Sequence, residues 1–237
     1  MKDVIIACDF ASREETLSFL QKFGDERPFV KIGMELFYAE GPDIVRLLHD
    51  RGHEIFLDLK LHDIPNTVMG AMRVLSGLGA DIINLHAAGT KAMMEKALEG
   101  VTRPDGSRPK LIAVTQLTST SEQAMKNELL ISSSMSDTVL SYARSAKAAG
   151  LDGVVCSPLE APVIHAGCGA DFLTVTPGVR FADGELGDQV RVATPAMAGS
   201  LGSDYIVVGR PITRAADPLS AWRRCADEFA GTKEDTQ

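Results

Sequence analysis

The sequence alternates along its whole length between short apolar runs and longer amphipathic segments. Eight apolar runs have the length and composition of strands, at residues 4–9, 29–33, 54–60, 81–86, 110–116, 153–157, 172–176 and 205–209. Eight further segments have helical character, at residues 13–23, 42–50, 67–78, 90–99, 137–149, 158–166, 188–198 and 218–229. About eight consecutive βα units without a linker predict an α/β fold, a (β/α)8 TIM barrel that forms one domain over residues 1–237. A doubly wound open sheet is the main alternative, since it produces the same local pattern.

Polar side chains collect at the carboxyl ends of the predicted strands, and this favours the barrel. They come at or just after the apolar runs: Asp9, Lys31, Asp58, Lys60, His86, Thr115, Gln116, Ser157, Thr176, Gly209 and Arg210. In a barrel these ends converge on one face, where active sites are found. Asp9 and Ser157 also suit a simpler role as caps of the helices that follow them.

The third run leads into a stretch that carries two carboxylates and a lysine, Phe56-Leu-Asp-Leu-Lys-Leu-His-Asp-Ile-Pro-Asn-Thr-Val68. The period of two in a strand puts Asp58 and Lys60 on one face. Asp63 falls outside this period, and we expect it in the following turn, as the acidic cap of a helix with an early proline. A structural ion pair inside the barrel is one interpretation. A functional site is favoured, because a buried ion pair seldom stabilises a fold more than apolar packing does.

Two loops near the end of the chain have the composition of a phosphate site. Thr176-Pro-Gly-Val-Arg180 follows the seventh run, and Val208-Gly-Arg210 ends the eighth. Barrels often bind phosphate between these two loops, and glycine lets the backbone approach an anion closely. Residues 181–187 are polar and rich in glycine, which predicts a mobile loop that closes over the ligand. The alternative is an ordinary surface loop.

Composition limits the classes of partner. A formal net charge of −8 argues against a broad nucleic-acid surface. No apolar run approaches the length of a transmembrane helix, and the first run is too short for the core of a signal peptide, so we expect no membrane partner and a cytoplasmic location. The four cysteines lack metal-ligand spacing, and we expect reduced thiols, with Cys8 and Cys156 in the core.

Three motifs together resemble those of the orotidine 5′-phosphate decarboxylase family. They are Asp58-x-Lys60-x-x-Asp63-Ile-Pro-x-Thr67, Thr176-Pro-Gly-x-Arg180 and Val208-Gly-Arg210. The resemblance extends from Asp9 to Arg210. It implies a (β/α)8 barrel that converts orotidine 5′-phosphate to uridine 5′-phosphate and carbon dioxide, the last step of de novo pyrimidine nucleotide synthesis, without a cofactor or a metal.

The resemblance also implies a catalytic array shared between two subunits. Asp58, Lys60 and Asp63 match the alternating charge network of the family, with Lys60 as the proton donor and Lys31 as a further member. Asp63 and Thr67 are implied to reach into the neighbouring subunit of a homodimer. The chemistry agrees, because a fixed ammonium group can stabilise and then protonate the carbanion that decarboxylation leaves.

The remaining implied roles are in substrate binding. Asp9 and Lys31 correspond to the residues that hold the ribose hydroxyls, and Thr118 to one that contacts the pyrimidine. The implied phosphate ligands are Arg180, Gln189, Gly209 and Arg210.

Two other functions are compatible with parts of this pattern. A Mg²⁺-dependent keto-gulonate-phosphate-type decarboxylase has a similar Asp-x-Lys-x-x-Asp strand. The arginine pair and the Asp-Ile-Pro-Asn-Thr67 continuation favour the nucleotide enzyme instead. A barrel that binds a phosphate ligand without catalysis is the other alternative, and the intact Asp58, Lys60 and Asp63 argue against it.

Overall fold

The apolar runs form eight parallel strands that close into a barrel, each paired with its neighbours in sequence and the first with the eighth. A computed structural model of the protein describes residues 2–183 and 193–231. The strands are β1 Asp3–Cys8, β2 Val30–Gly33, β3 Ile55–Leu61, β4 Ile82–His86, β5 Lys110–Val114, β6 Gly153–Val155, β7 Leu173–Thr176 and β8 Tyr205–Val208. Closure follows from the pairing of Val4 in β1 with Ile206 in β8. The predicted barrel is confirmed, and the open sheet is wrong.

Helices follow the strands and form the outer ring of the barrel. They are α1 Arg13–Leu20, α2 Met34–Glu40, α3 Asp43–Asp50, α4 Pro65–Leu75, α5 Thr90–Val101, α6 Glu122–Asn127, α7 Met135–Ala148, α8 Ala161–Cys168, α9 Pro195–Ser200, α10 Arg210–Thr213 and α11 Pro218–Ala230. The sequence pattern did not predict α2, α6 and α10. These helices have seven, six and four residues, which is too short for a recognisable amphipathic pattern. No helix within residues 2–183 and 193–231 is long and apolar enough to span a bilayer.

Two helix starts differ from the prediction. Pro65 does occupy the first turn of α4, but Asp63 is not the cap, because Ile64 holds that position and makes no side-chain capping bond. The Asp63 carboxylate instead accepts a hydrogen bond from the backbone N–H of Ile64 at 2.6 Å. Of the predicted helix 188–198, residues 188–192 lie outside the described part of the chain. Helix α9 begins only at Pro195, after Thr194 caps it.

Apolar side chains form two layers around the strands. One layer lies between the strands and the helices and includes residues that alternate with the inward-facing ones, such as Ile6, Leu57 and Ile83. The inner layer fills the barrel with Ile5, Ala7, Phe29, Phe56, Ile82, Ile112, Val175, Tyr205 and Val207. Side chains therefore fill the interior of the barrel, which leaves no channel through it, and a ligand can bind only at its ends.

Three aspartates tie neighbouring strands together at the amino end of the barrel. Asp81, Asp152 and Asp204 each directly precede an even-numbered strand. Their carboxylates accept the backbone N–H of Ile55 at 2.7 Å, of Leu111 at 2.7 Å and of Thr174 at 2.8 Å, each near the start of the preceding odd-numbered strand. These hydrogen bonds to carboxylate oxygens stabilise the barrel at its amino end, opposite the carboxyl ends of the strands.

Candidate active site

A layer of charged and amide groups lies directly above the apolar filling, at the carboxyl ends of the first four strands. Because side chains alternate along a strand, each of these groups comes two residues after a member of the inner layer. Asp9 follows Ala7, Lys31 follows Phe29, Asp58 follows Phe56 and Asn84 follows Ile82. Strands β1 to β4 are neighbours in the barrel, so the four side chains lie side by side.

Two cavities open at this end of the barrel and meet at the charged layer. The larger has a volume of about 710 Å³ and the smaller of about 210 Å³. Both are lined by Lys31, Asp58, Lys60, Pro177 and Val207. A ligand that fills both cavities must therefore pass over these side chains.

The charged residues form a continuous array of alternating sign. Nζ of Lys60 lies 2.7 Å from Oδ1 of Asp58, and Nζ of Lys31 lies 3.5 Å from Oδ2 of the same carboxylate. Lys31 also donates to Oδ1 of Asp9 at 2.8 Å. The sequence predicted that Asp58 and Lys60 share a face, and the structure places their side chains in direct contact.

The two most buried members of the array are held in their charged forms. Burial alone raises the pKa of Asp58, but the charges of Lys31 and Lys60, with hydrogen bonds from Lys60 and Asn84, bring it below its ordinary value. Burial alone lowers the pKa of Lys31, but Asp58 and Asp9 outweigh it and the net pKa lies above its ordinary value. Both groups are ionised at neutral pH.

The backbone of β3 departs from a regular strand where it carries these residues. Leu57 pairs with Ile83 and Leu61 pairs with Leu85, so the pairing register shifts between Leu57 and Leu61. Lys60 has φ 53°, in the left-handed region that residues other than glycine rarely adopt. Residues with a strained backbone of this kind cluster at functional sites, and Lys60 is the predicted proton donor.

The larger cavity extends from the array to the predicted phosphate loops. Gly178, Arg180, Gly209 and Arg210 line it, together with Thr213 and Arg214. Gly178 has φ 82°, a conformation that requires glycine for an unstrained backbone. The structure thus brings together the two arginines that the sequence placed on separate loops, and it adds Arg214 as a third cation.

The smaller cavity has apolar walls and a polar edge. Phe56, Val114 and Val155 contribute the apolar surface, and Gln116 and Thr118 contribute polar groups. Thr118 is buried, as is Gln116. Thr118 and Lys60 line the same cavity, and the contact of Thr118 with a pyrimidine, which the family resemblance implies, stays a prediction.

Asp63 and Thr67 are not among the described residues that line these two cavities. Both side chains are exposed, and they line a separate apolar groove of about 670 Å³ that also reaches Lys60. Within one chain, therefore, the carboxylate of Asp63 does not join the array. The contribution of Asp63 to the site of a neighbouring subunit stays a prediction.

Several polar residues at the strand ends have structural roles instead. Ser157 caps a 3-10 turn and forms a capping box with Glu160, which is the simpler role suggested for it by the sequence. Thr115 and Thr176 donate to the backbone carbonyl groups of Val155 and Tyr205. Asp9 is not a cap, because Ser12 caps α1.

Of the other residues that the sequence singled out, His86 and Cys8 lie in the described part of the chain. The ring of His86 lies near that of His62, with 5.7 Å between the centroids and a tilt of 40° between the planes. Cys8 is fully buried, which raises the pKa of its thiol to about 12 and makes it unreactive, as expected of a core residue. Gln189 and most of the predicted loop 181–187 lie outside the described residues.

The sequence did not predict Arg214, Asn84 and Gly33 as residues of the site. Asn84 is fully buried and contacts both Asp58 and Lys60. Its signal was an amide in the middle of the apolar run Ile82–His86, where a polar residue needs buried partners. Gly33 leaves room for the contact between Lys31 and Asp9, and a glycine at the end of a strand gave no signal of that role.

Comparison with known proteins finds similarity to one family along nearly the whole chain. Residues 2–225 match the model of the orotidine 5′-phosphate decarboxylase / HUMPS family. The chain is 57% identical over 233 residues to an orotidine 5′-phosphate decarboxylase of Geobacillus sp. strain WCH70, which covers 97% of this chain and 98% of that protein. It is 56% identical over 235 residues to the enzyme of that name from Bacillus caldolyticus, covering 98% and 96%. A crystal structure of orotidine 5′-phosphate decarboxylase from Lactobacillus acidophilus superimposes with a TM-score of 0.87 at 45% identity, covering 97% of this chain and 100% of that one.

Proposed function

The chain belongs to the orotidine 5′-phosphate decarboxylase / HUMPS family, and we propose that Lys60, Asp58 and Lys31 carry its reaction. That reaction is the decarboxylation of orotidine 5′-phosphate to uridine 5′-phosphate and carbon dioxide in pyrimidine biosynthesis. The observation that supports the assignment of residues is the array in which Nζ of Lys60 contacts Asp58 at 2.7 Å, at the junction of two cavities.

Lys60 is the proposed proton donor. Loss of carbon dioxide leaves an electron pair on C6 of the pyrimidine ring, and an ammonium group fixed beside that carbon stabilises the charge as it develops. The same group then donates its proton to C6, which completes uridine 5′-phosphate. The side chain of Lys60 is 24% exposed, so its ammonium group is open to the cavities while Asp58 beneath it is buried.

Asp58 and Lys31 hold the donor in place. The Asp58 carboxylate contacts the ammonium group of Lys60 through one oxygen and that of Lys31 through the other. Because the ions are fixed before the substrate arrives, little reorganisation is needed as charge develops. Asp9 and Lys31 line the larger cavity beside the array, which supports a role for both in holding the ribose hydroxyls.

The two cavities suit the two ends of a nucleotide. The larger is lined by Arg180, Gly209 and Arg210, and the two guanidinium groups with a backbone N–H would be suitable donors for a phosphate dianion. The smaller has apolar walls with Thr118 at its edge, which suits a flat ring with polar substituents. Binding energy from the remote phosphate can then be used to position the reacting carbon over Lys60.

We further propose that the active protein is a homodimer in which Asp63 and Thr67 of each subunit complete the site of the other. The exposed Asp63 carboxylate and Lys60 line the same groove, beside exposed apolar side chains. Tyr38 is 73% exposed, Ile64 68% and Val74 66%. A second copy of the chain would cover this apolar surface and bring a carboxylate towards Lys60.

The decisive experiment is to follow the loss of the ultraviolet absorbance of orotidine 5′-phosphate with excess chelator present. Turnover at the rate seen without chelator supports the substrate and a reaction that needs no metal. Activity lost to the chelator and restored by Mg²⁺ would favour the metal-dependent alternative. Binding of uridine 5′-phosphate without any turnover would favour the non-catalytic barrel.

A further inference from the structure

Asn84 is fully buried beside the charge array, and both ends of its side-chain amide contact members of the array. Its Oδ1 accepts the backbone N–H of Lys60 at 2.8 Å, and its Nδ2 donates to Oδ1 of Asp58 at 2.7 Å. A carboxylate can only accept and a backbone N–H can only donate, so these partners fix the orientation of the amide. Oδ1 of Asp58 therefore receives two donors, Nδ2 of Asn84 and Nζ of Lys60.

The irregular part of β3 lies opposite Asn84. Between the pairs Leu57 with Ile83 and Leu61 with Leu85, residues 58–60 of β3 face Asn84 alone. The backbone of β3 bulges there, and Lys60 takes up a left-handed conformation. A buried backbone N–H requires an acceptor, and the side chain of Asn84 supplies it to Lys60 where regular strand pairing is interrupted.

We propose that Asn84 is a positioning residue of the decarboxylase, which holds the Asp58 carboxylate and the Lys60 backbone in the arrangement that presents the Lys60 ammonium group to the substrate. Asn84 is not among the described residues that line either cavity, so it acts through Asp58 and Lys60. The proposal rests on the function proposed above, in which Lys60 is the proton donor.

An amide suits this position better than other polar groups. A second carboxylate at residue 84 would repel Asp58, and an ammonium group would offer no acceptor to the Lys60 N–H. Asn84 supplies one neutral donor and one acceptor. It also adds to the hydrogen bonds that, after the charges of Lys31 and Lys60, offset the effect of burial on the pKa of Asp58.

Two substitutions test the proposal against orotidine 5′-phosphate. Asn84→Ala removes both hydrogen bonds, and we expect kcat to fall by about 100-fold, the effect of a small misplacement of a catalytic group. The KM for the substrate and the Kd for uridine 5′-phosphate should change by less than about threefold, since Asn84 does not contact the ligand. As a control, Leu85→Ala removes a fully buried side chain from the helix-facing layer of the same strand. It should lower Tm but leave kcat within about threefold.

Asn84→Asp provides a readout that a purely structural role would not affect, and it preserves side-chain size if Asn84→Ala does not fold. The ionised carboxylate repels Asp58, whereas its protonated form can donate to Asp58 as the amide does. We therefore expect the ratio of kcat for Asn84→Asp to kcat for the wild type to rise about tenfold from pH 8 to pH 5. A ratio independent of pH, or an Asn84→Ala variant with wild-type kcat, would overturn the proposal. Failure of the wild type to decarboxylate the substrate would instead overturn the proposed function.

Discussion

A Cβ atom on Gly33 would lie 2.8 Å from Oδ1 of Asp9. It would also lie 2.9 Å from Nζ of Lys31, and these two side-chain atoms are themselves 2.8 Å apart. Gly33 has φ −90° and ψ −178°, which any residue can adopt, so glycine is needed here for space and not for conformation. The missing side chain is what allows Asp9 and Lys31 to meet.

Gly33→Ala should therefore displace the contact between Asp9 and Lys31. We expect kcat/KM to fall by about 10-fold to 100-fold, because a shift of an ångström at a catalytic array has effects of this size. Steady-state kinetics with orotidine 5′-phosphate measures it. Gly77→Ala is the matched control, since a Cβ at the exposed Gly77 meets no atom within 4 Å. Equal kinetics for the two variants would contradict the prediction.

Lys60→Ala should abolish turnover and preserve ligand binding. Loss of the proton donor and of its stabilising charge should lower kcat by at least about 1,000-fold. Calorimetric titration with uridine 5′-phosphate should still detect binding, because the phosphate and pyrimidine contacts remain. Lys91→Ala, which removes an exposed lysine paired with Glu95, should behave as the wild type. Retained activity in Lys60→Ala would remove this residue from its assigned role.

Arg180→Ala should impair more than substrate affinity. We expect a higher KM and a loss of about 2–5 kcal/mol in transition-state stabilisation, calculated from kcat/KM, because phosphate binding energy helps to position the reacting carbon. Arg223→Ala is the control, since Arg223 is an exposed arginine that pairs with Glu26. Kinetics of Arg180→Ala close to those of the wild type would contradict the assigned phosphate site.

Stability at acid pH should depend on Asp58. Its pKa in the folded protein lies below the ordinary value of 3.8, so its ionised form contributes stability above that pH. The contribution is lost as the pH falls through the lower folded pKa. The wild type should therefore have a higher Tm than Asp58→Asn at pH 7, and the difference should narrow below about pH 4. A constant difference in thermal melts across this range would count against the coupling of Asp58 to the two lysines.

Mixing two inactive variants tests whether sites are shared between subunits. If each site takes Lys60 from one chain and Asp63 from the other, Lys60→Ala mixed with Asp63→Ala forms hybrid dimers with one intact site each. Random exchange of equal amounts should restore about a quarter of the wild-type activity, because half of the dimers are hybrids. Mass spectrometry of the mixture verifies that subunits exchange. Exchange without recovered activity would contradict the shared site.

The sequence predicted the barrel because its apolar runs have a clear period and no linker interrupts them. The sequence also predicted Asp58, Lys60 and the two arginines as site residues, because charged side chains beside buried strands are uncommon unless they are paired or functional. Asn84 and Gly33 were not predicted. Their roles depend on atoms of other strands, namely the shifted register of β3 and the space around Asp9, and local sequence patterns carry no record of such contacts. The same limit explains the error at Asp63, whose turn geometry favours its own neighbour Ile64.

The three aspartates at the amino end of the barrel have a consequence for how this protein can change over time. The carboxylates of Asp81, Asp152 and Asp204 bind backbone N–H groups of neighbouring strands at the amino end of the barrel, opposite the candidate active site. Substitutions in the loops at the carboxyl end leave these hydrogen bonds intact. We therefore expect the scaffold to tolerate the loss of an active-site residue, and to acquire a new specificity by replacement of those loops, while the hydrogen bonds at the amino end keep the strands together.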